Sequence, residues 1–98
     1  MDILERNFQP KVIARLKQTF EGCIVIKTDP SYIQGFPDLI IFYNDRWAAL
    51  ECKRSGDATR RPNQEYWVDK MNSMSFASFI SPENIEEVFY DLQRSFES

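Results

Sequence analysis

The chain lacks histidine altogether, has two cysteines and contains no apolar run long enough to cross a bilayer. The absence of histidine excludes His-based nucleases, Ser-His-Asp hydrolases and the usual zinc enzymes, which leaves carboxylates and lysine as catalytic groups. Cys23 and Cys52 are too few for a disulfide framework or a zinc site. Acidic residues, Asp2 and Glu5, stand where a signal peptide has basic ones. We therefore expect a soluble cytoplasmic protein with no membrane segment.

Size and charge suggest a single domain with a local basic cluster. Ninety-eight residues with 43% hydrophobic content predict one domain, residues 1–98, with a modest core. The net charge of −3 is not typical of a nucleic-acid-binding protein, but the charges are segregated along the sequence. Acids cluster in the last segment, residues 83–97, whereas Lys53, Arg54, Arg60 and Arg61 form a basic cluster. This cluster is a candidate surface for phosphate contacts.

Hydrophobic periodicity and turn residues predict the element order α-β-β-β-α-β-α. Pro10 falls inside the first helical pattern, so that helix either kinks or begins there. Both faces of the central hairpin are apolar, which requires helices on both sides. The prediction is a small α/β fold with a mixed sheet of about four strands. The predicted helices span about 4–20, 62–74 and 81–96, and the predicted strands span 23–27, 37–43, 46–55 and 75–80.

The central hairpin predicts an opposed pair of acidic side chains. Residues 44–45 are a turn pair between two apolar, β-prone runs. A hairpin centred there places Asp38 directly opposite Glu51, with Lys53 two residues further on. Because side chains alternate along a strand, all three project from the same face. Two opposed carboxylates repel each other, and a divalent cation held between them removes the conflict.

Oxygen ligands without a nearby histidine or cysteine side chain favour Mg²⁺ or Mn²⁺. Cys52 points to the opposite face, so its thiol is expected in the core, while its backbone carbonyl is a candidate metal ligand. The alternative for the two acids is a pair of solvated residues at the ends of their strands. The alternative for Lys53 is a simple ion pair with Glu51. Asp38 and Glu51 nevertheless lie in strands that are otherwise apolar, which favours a metal site.

Two short motifs resemble a known nuclease signature. Gly-Phe-Pro-Asp at 35–38 and Glu-Cys-Lys at 51–53 resemble the PD-(D/E)XK motif, including the proline before the aspartate. With Arg-Pro-Asn-Gln at 61–64, nearly the whole chain resembles the stand-alone VRR-NUC nucleases of bacteriophages, which are related to phage-type Holliday junction resolvases. Cys52 stands where the family usually has valine, a difference that concerns packing.

The resemblance implies a restriction-endonuclease-like fold and a Mg²⁺- or Mn²⁺-dependent endodeoxyribonuclease. It further implies a phage or prophage protein that acts in the cytoplasm of a bacterial host on branched or structured DNA. One active site cuts one strand at a time, so resolving a junction would require a homodimer. The competing function is a catalytically silent module of the same fold that binds DNA or a protein.

The resemblance also implies roles for individual residues. Asp38 and Glu51 hold the metal, Lys53 positions or activates the attacking water, and Gln64 supports the site from the second helix. Glu5 is the candidate for an additional acidic ligand from the first helix. The alternative for Gln64 is a satisfied core amide, and the alternative for Glu5 is an acid favoured by the helix dipole.

The remaining polar candidates are basic. Arg54, Arg60 and Arg61 are expected to contact DNA phosphates, and an ordinary solvated loop is the alternative for the last two. Trp47 and Trp67 are expected in the core in preference to a base-stacking role.

Overall fold

The computed structural model describes residues 3–97, with side chains from residue 7 onwards. The elements follow in the order that the sequence predicts, α-β-β-β-α-β-α. None of the helices in the described part of the chain combines the length and the apolar character needed to span a membrane. The elements are α1 (Ile3–Thr19), β1 (Ile24–Lys27), β2 (Leu39–Tyr43), β3 (Arg46–Cys52), α2 (Gln64–Met74), β4 (Phe76–Ile80) and α3 (Ile85–Glu97).

The four strands form one mixed sheet in the order β1-β2-β3-β4. β2 is antiparallel to both β1 and β3, whereas β3 pairs with β4 in parallel, as expected for a strand–helix–strand unit. The predicted hairpin register is confirmed, because Ile40 pairs with Ala49 and Tyr43 pairs with Arg46. Asn44 adopts a positive φ of 56° in the turn, a conformation that asparagine tolerates. This register brings the residue before β2 next to the end of β3.

One face of the sheet is fully covered and the other is covered in part. α1 and α3 pack on the first face, where Leu16, Ile41 and Leu92 are completely buried. On the second face, α2 packs over β3 and β4 through Val68 and Met71. The expectation of helices on both sides of the sheet is confirmed, although α2 covers only half of the second face. A single helix about 10 Å wide covers two strands spaced about 4.8 Å apart, so β1 and β2 stay uncovered there.

The uncovered half carries apolar side chains. Ile24, Ile26 and Phe42 are exposed to 59%, 46% and 42% respectively. Trp47, on the same face of β3, packs beside α2, and the Trp67 ring lies 5.3 Å from the ring of Phe36. Both tryptophans thus belong to the packed part of the fold, in line with the sequence expectation.

Two helices begin later than predicted, and one passes through a proline. α1 is continuous through Pro10, so the alternative that the helix begins at this residue is wrong. α2 begins at Gln64 and not at Pro62, because Asn63 has a left-handed backbone with φ 71° that cannot continue a helix. α3 begins at Ile85, since residues 81–84 form a turn closed by the Ser81 N–H, which donates to Asn84 Oδ1 at 2.7 Å.

Candidate active site at the end of the sheet

A cavity of about 660 Å³ opens at the end of the sheet where β1 and β3 finish and β2 begins. Its walls come from α1, the end of β1, the loop 28–37 and the segment that leads into α2. Both predicted acids, Asp38 and Glu51, line this cavity together with Gln64. The structure therefore brings together three of the predicted site residues, from three separate parts of the sequence.

The two acidic side chains are in direct contact. Asp38 lies immediately before β2, and its Oδ2 accepts a hydrogen bond from the backbone N–H of Cys52 at 3.0 Å. Glu51 is buried in β3, and its carboxyl lies close enough to that of Asp38 to act on its pKa.

Burial raises the pKa of Asp38 above its usual range. The hydrogen bond from the Cys52 N–H, the neighbouring Glu51 and the positive charge of Lys53 oppose this rise without cancelling it. Such a perturbed carboxyl in a cavity is typical of a functional site.

Gln64 connects the acidic pair to the second helix. Its side chain is buried, and its Nε2 donates to Glu51 Oε2 at 3.0 Å. Its Oε1 accepts from the backbone N–H of Arg61 at 2.7 Å. The amide therefore fixes the orientation of the Glu51 carboxyl and anchors the segment before α2 at the same time.

Lys53 is close to the acids but is directed away from the cavity. β3 ends at Cys52, and the backbone N–H of Lys53 donates to Ile80 O at 2.8 Å, which extends the pairing with β4. The buried ammonium donates to the backbone carbonyl of Thr59 at 3.1 Å and does not line the cavity. Its charge nevertheless acts on the carboxyl of Asp38.

The donor set suits a hard divalent cation. The Cys52 thiol is buried in the core on the opposite face, as predicted, whereas its backbone N–H points to Asp38. The N–H and C=O of one strand residue point to the same side, so the Cys52 carbonyl also lies on the side of the acids. Among the described residues, no group of three His, Cys, Asp or Glu side chains forms a metal cluster. Mg²⁺ is commonly held by one or two carboxylates with several waters, so two acids and a carbonyl fit. The side chain of Glu5 lies outside the described residues.

The predicted arginines divide into one that lines the cavity and two that do not. Arg61 lines it. Arg60 donates to Glu65 Oε1 at 2.6 Å, and its guanidinium lies 3.9 Å from the centre of the Phe79 ring. Arg54 is exposed and close enough to Asp57 for its charge to act on that carboxylate.

The sequence interpretation missed several cavity residues, among them Lys27 and Gln9. Lys27 ends β1 opposite Leu39, which places this cation beside the residue that precedes β2. Gln9 lines the cavity from α1 and is only 6% exposed, and its side chain has no hydrogen bond to another described residue. A polar residue in register with Val12 and Leu16 on the apolar stripe of α1 was the available signal for Gln9.

A glycine shapes the wall between the loop 28–37 and the start of α2. Gly35 has a φ of 82°, and a Cβ there would lie 2.6 Å from the carbonyl oxygen of Pro62 and 2.7 Å from the backbone of Asn63. Those contacts are shorter than real Cβ contacts. The loop and the segment before α2 can therefore pack this closely only because residue 35 has no side chain.

We expect Gly35→Ala to destabilise the fold more than Gly22→Ala. Both glycines have positive φ, so each alanine incurs backbone strain of about 1–3 kcal/mol. Only the alanine at 35 adds a clash, because nothing lies within 4 Å of a Cβ at Gly22. Thermal melting of both variants isolates the clash as the difference, at roughly 4–8 °C per kcal/mol. Equal melting temperatures for the two variants would contradict the close approach.

Comparison with solved structures finds a neighbour for nearly the whole chain. The chain superposes on a VRR_NUC domain protein with a TM-score of 0.67 and 17% identity, covering 99% of this chain and 91% of that one. The fold is restriction-endonuclease-like. The restriction-endonuclease-like fold expected from the sequence is thereby confirmed, and the likeness to the VRR_NUC structure is one of fold. No protein-family model matches the chain, and no curated protein matches it either.

Proposed function

We propose that this protein is a Mg²⁺- or Mn²⁺-dependent endodeoxyribonuclease of the PD-(D/E)XK type. The observation that carries the proposal is the contact between Asp38 and Glu51 inside a cavity whose walls also carry the cations Lys27 and Arg61. Paired acids suit a divalent cation, and flanking cations suit the phosphates of a nucleic-acid strand. The VRR_NUC structural neighbour supports nuclease chemistry for this fold.

Each residue of the site has a defined task in this proposal. Asp38, Glu51 and the Cys52 carbonyl would hold the cation, and Gln64 keeps the Glu51 carboxyl oriented. When bound, Mg²⁺ or Mn²⁺ lowers the pKa of a water and neutralises charge on the scissile phosphate. Lys53 orients the attacking water once its ammonium leaves the Thr59 carbonyl.

One observation favours the second candidate, a catalytically silent DNA-binding module of the same fold. The Lys53 ammonium is buried against the loop and does not line the cavity. A silent module would bind DNA through Lys27 and Arg61 and leave every phosphodiester bond intact. Nuclease activity is favoured because two neighbouring acids in the cavity, one of them buried, give a DNA-binding module no advantage.

A single incubation experiment separates these candidates. Plasmid, linear duplex and four-way junction DNA are incubated with Mg²⁺, with Mn²⁺ and with chelator, and the products are resolved on denaturing gels. We propose that branched or structured DNA is cut preferentially and that the protein acts on junctions as a homodimer, since resolution requires two cuts. Binding without cleavage in either metal would establish the silent module instead. Light scattering of the protein–junction complex measures the dimer.

The two adjacent arginines should differ in DNA binding. The slope of log affinity against log salt concentration changes by about −0.9 for each phosphate contact on duplex DNA, because each contact releases counterions. If Arg61 contacts a phosphate, Arg61→Ala should therefore make this slope shallower by roughly 0.9. Arg60→Ala is the matched control, because Arg60 is held by Glu65 and the Phe79 ring and does not line the cavity. Fluorescence anisotropy at several salt concentrations gives both slopes. Equal slopes for the two variants would show that Arg61 makes no phosphate contact and belongs to an ordinary solvated loop.

A further inference from the structure

Tyr32 is an exposed aromatic residue in the loop that forms one wall of the cavity. Its side chain is 84% exposed, the highest value among the exposed large hydrophobic residues of the described chain. Pro30 and Gln34, two positions away on either side, both line the cavity. Within residues 7–97, no ring–ring or cation–π contact involves Tyr32. An aromatic face beside a candidate active site is thus open to a ligand.

The backbone that carries Tyr32 is held in place by local hydrogen bonds. Asp29 Oδ1 accepts from the backbone N–H and the hydroxyl of Ser31 at 2.9 and 2.7 Å. The N–H of Tyr32 donates to the carbonyl of Asp29 at 3.2 Å, and the Thr28 hydroxyl closes the loop on the carbonyl of Pro37 at 2.7 Å. A preorganised loop loses less conformational entropy when a ligand binds to it.

The charges of the cavity define the course of a nucleic-acid strand. Lys27 lies at the end of β1 and Arg61 lies just before α2, while Asp38 precedes β2 and Glu51 lies in β3. A strand whose scissile phosphate sits at the acids can place its neighbouring phosphates on these two cations. Tyr32 follows Lys27 in the loop after β1, between the cavity residues Pro30 and Gln34.

This inference rests on the proposed function and adds a binding site to it. We propose that the Tyr32 ring stacks on an unpaired base of the strand that enters the cavity at Lys27. A base inside a duplex has both faces covered by its neighbours, whereas a base in a single-stranded segment offers a free face. Tyr32 therefore selects DNA with an unpaired nucleotide next to the cleaved phosphate.

Binding measurements on three variants test the stacking site. The full chain is titrated in chelator against a single-stranded oligonucleotide containing 2-aminopurine and against a fully paired duplex of the same sequence. Removal of one stacking ring costs on the order of 5- to 150-fold in affinity. We expect Tyr32→Ala to weaken single-strand binding by about tenfold or more and to leave duplex binding within about twofold. Tyr32→Phe should keep the parent affinity and the parent's effect on 2-aminopurine fluorescence.

Tyr90→Ala is the matched control. Tyr90 is an exposed tyrosine of α3, a helix that contributes no residue to the cavity wall, and its loss should change neither affinity. An equal loss on single-stranded and duplex DNA in Tyr32→Ala, or no loss on either, would overturn the stacking site. If the parent cuts DNA normally, that result leaves the proposed function intact. If the parent neither binds nor cuts any DNA, the proposed function fails and the stacking site fails with it.

Discussion

DNA cleavage should fall by at least about a hundredfold in each of the variants Asp38→Asn, Glu51→Gln and Lys53→Ala. The first two substitutions each remove one carboxylate from the pair that is proposed to hold the cation. The single carboxylate that remains carries too little negative charge to hold the divalent cation. The third removes the ammonium whose charge acts on Asp38. Initial rates on the preferred DNA in Mg²⁺ and in Mn²⁺ measure all three.

The amide that orients Glu51 provides an intermediate case. Gln64→Ala leaves both acids in place but removes the hydrogen bond to Glu51 Oε2, so we expect a loss of about 10- to 100-fold. Asp91→Asn, an exposed acid of α3, is the control and should retain the parent rate. Circular dichroism spectra should match the parent for every variant. Cleavage in chelator, or full activity in Asp38→Asn or Glu51→Gln, would contradict the assignment.

Asp38→Asn should melt a few degrees above the parent in chelator at neutral pH. An opposed pair of like charges costs a few tenths of a kcal/mol to about 1 kcal/mol, and partial burial adds to it. The substitution removes that cost while an amide oxygen can still accept from the Cys52 N–H. At roughly 4–8 °C per kcal/mol, the gain is measurable by thermal denaturation. Loss of activity together with a gain in stability is expected of residues kept for function.

The gain in stability of Asp38→Asn over the parent should increase with pH. Burial raises the pKa of Asp38, so the folded protein binds this proton more tightly than the unfolded chain does. The proton on Asp38 stabilises the folded parent fully below the unfolded-state pKa of about 3.9. This stabilisation is lost as pH rises through the pKa of Asp38 in the folded protein. The advantage of Asp38→Asn over the parent should therefore be small in acid and grow towards neutral pH. Asp29→Asn, at an exposed acid whose pKa is lowered by hydrogen bonds from Ser31, should show no such growth.

Divalent metal should reverse the order of the melting temperatures of the parent and Asp38→Asn. A cation at about 100 times its Kd stabilises the parent by about 2.7 kcal/mol through mass action, a rise of ten degrees or more in Tm. Asp38→Asn, with one carboxylate left in the pair, should respond far less. A variant that melts below the parent in chelator and responds to Mg²⁺ or Mn²⁺ as the parent does would show that Asp38 and Glu51 do not share a site.

The sequence by itself determined the element order, the hairpin register and the common face of Asp38 and Glu51. These features follow from local rules, because turn residues at 44–45 set the register and side chains alternate along each strand. The inward direction of Gln64 followed in the same way from helical periodicity on α2. Local rules were sufficient wherever a contact lay within one hairpin or on one face of one element.

Only the tertiary structure decided which charged groups reach the cavity. Lys53 donates to the Thr59 carbonyl, and Arg60 contacts Glu65 and the Phe79 ring. These long side chains can reach several partners, and the packing of the loop determines which partner each one contacts. Lys27 joins the site because β1 pairs beside β2, a long-range arrangement that no local pattern specifies. The half-covered second face has the same origin, since one helix spans two strands and the strand order leaves β1 and β2 outside it.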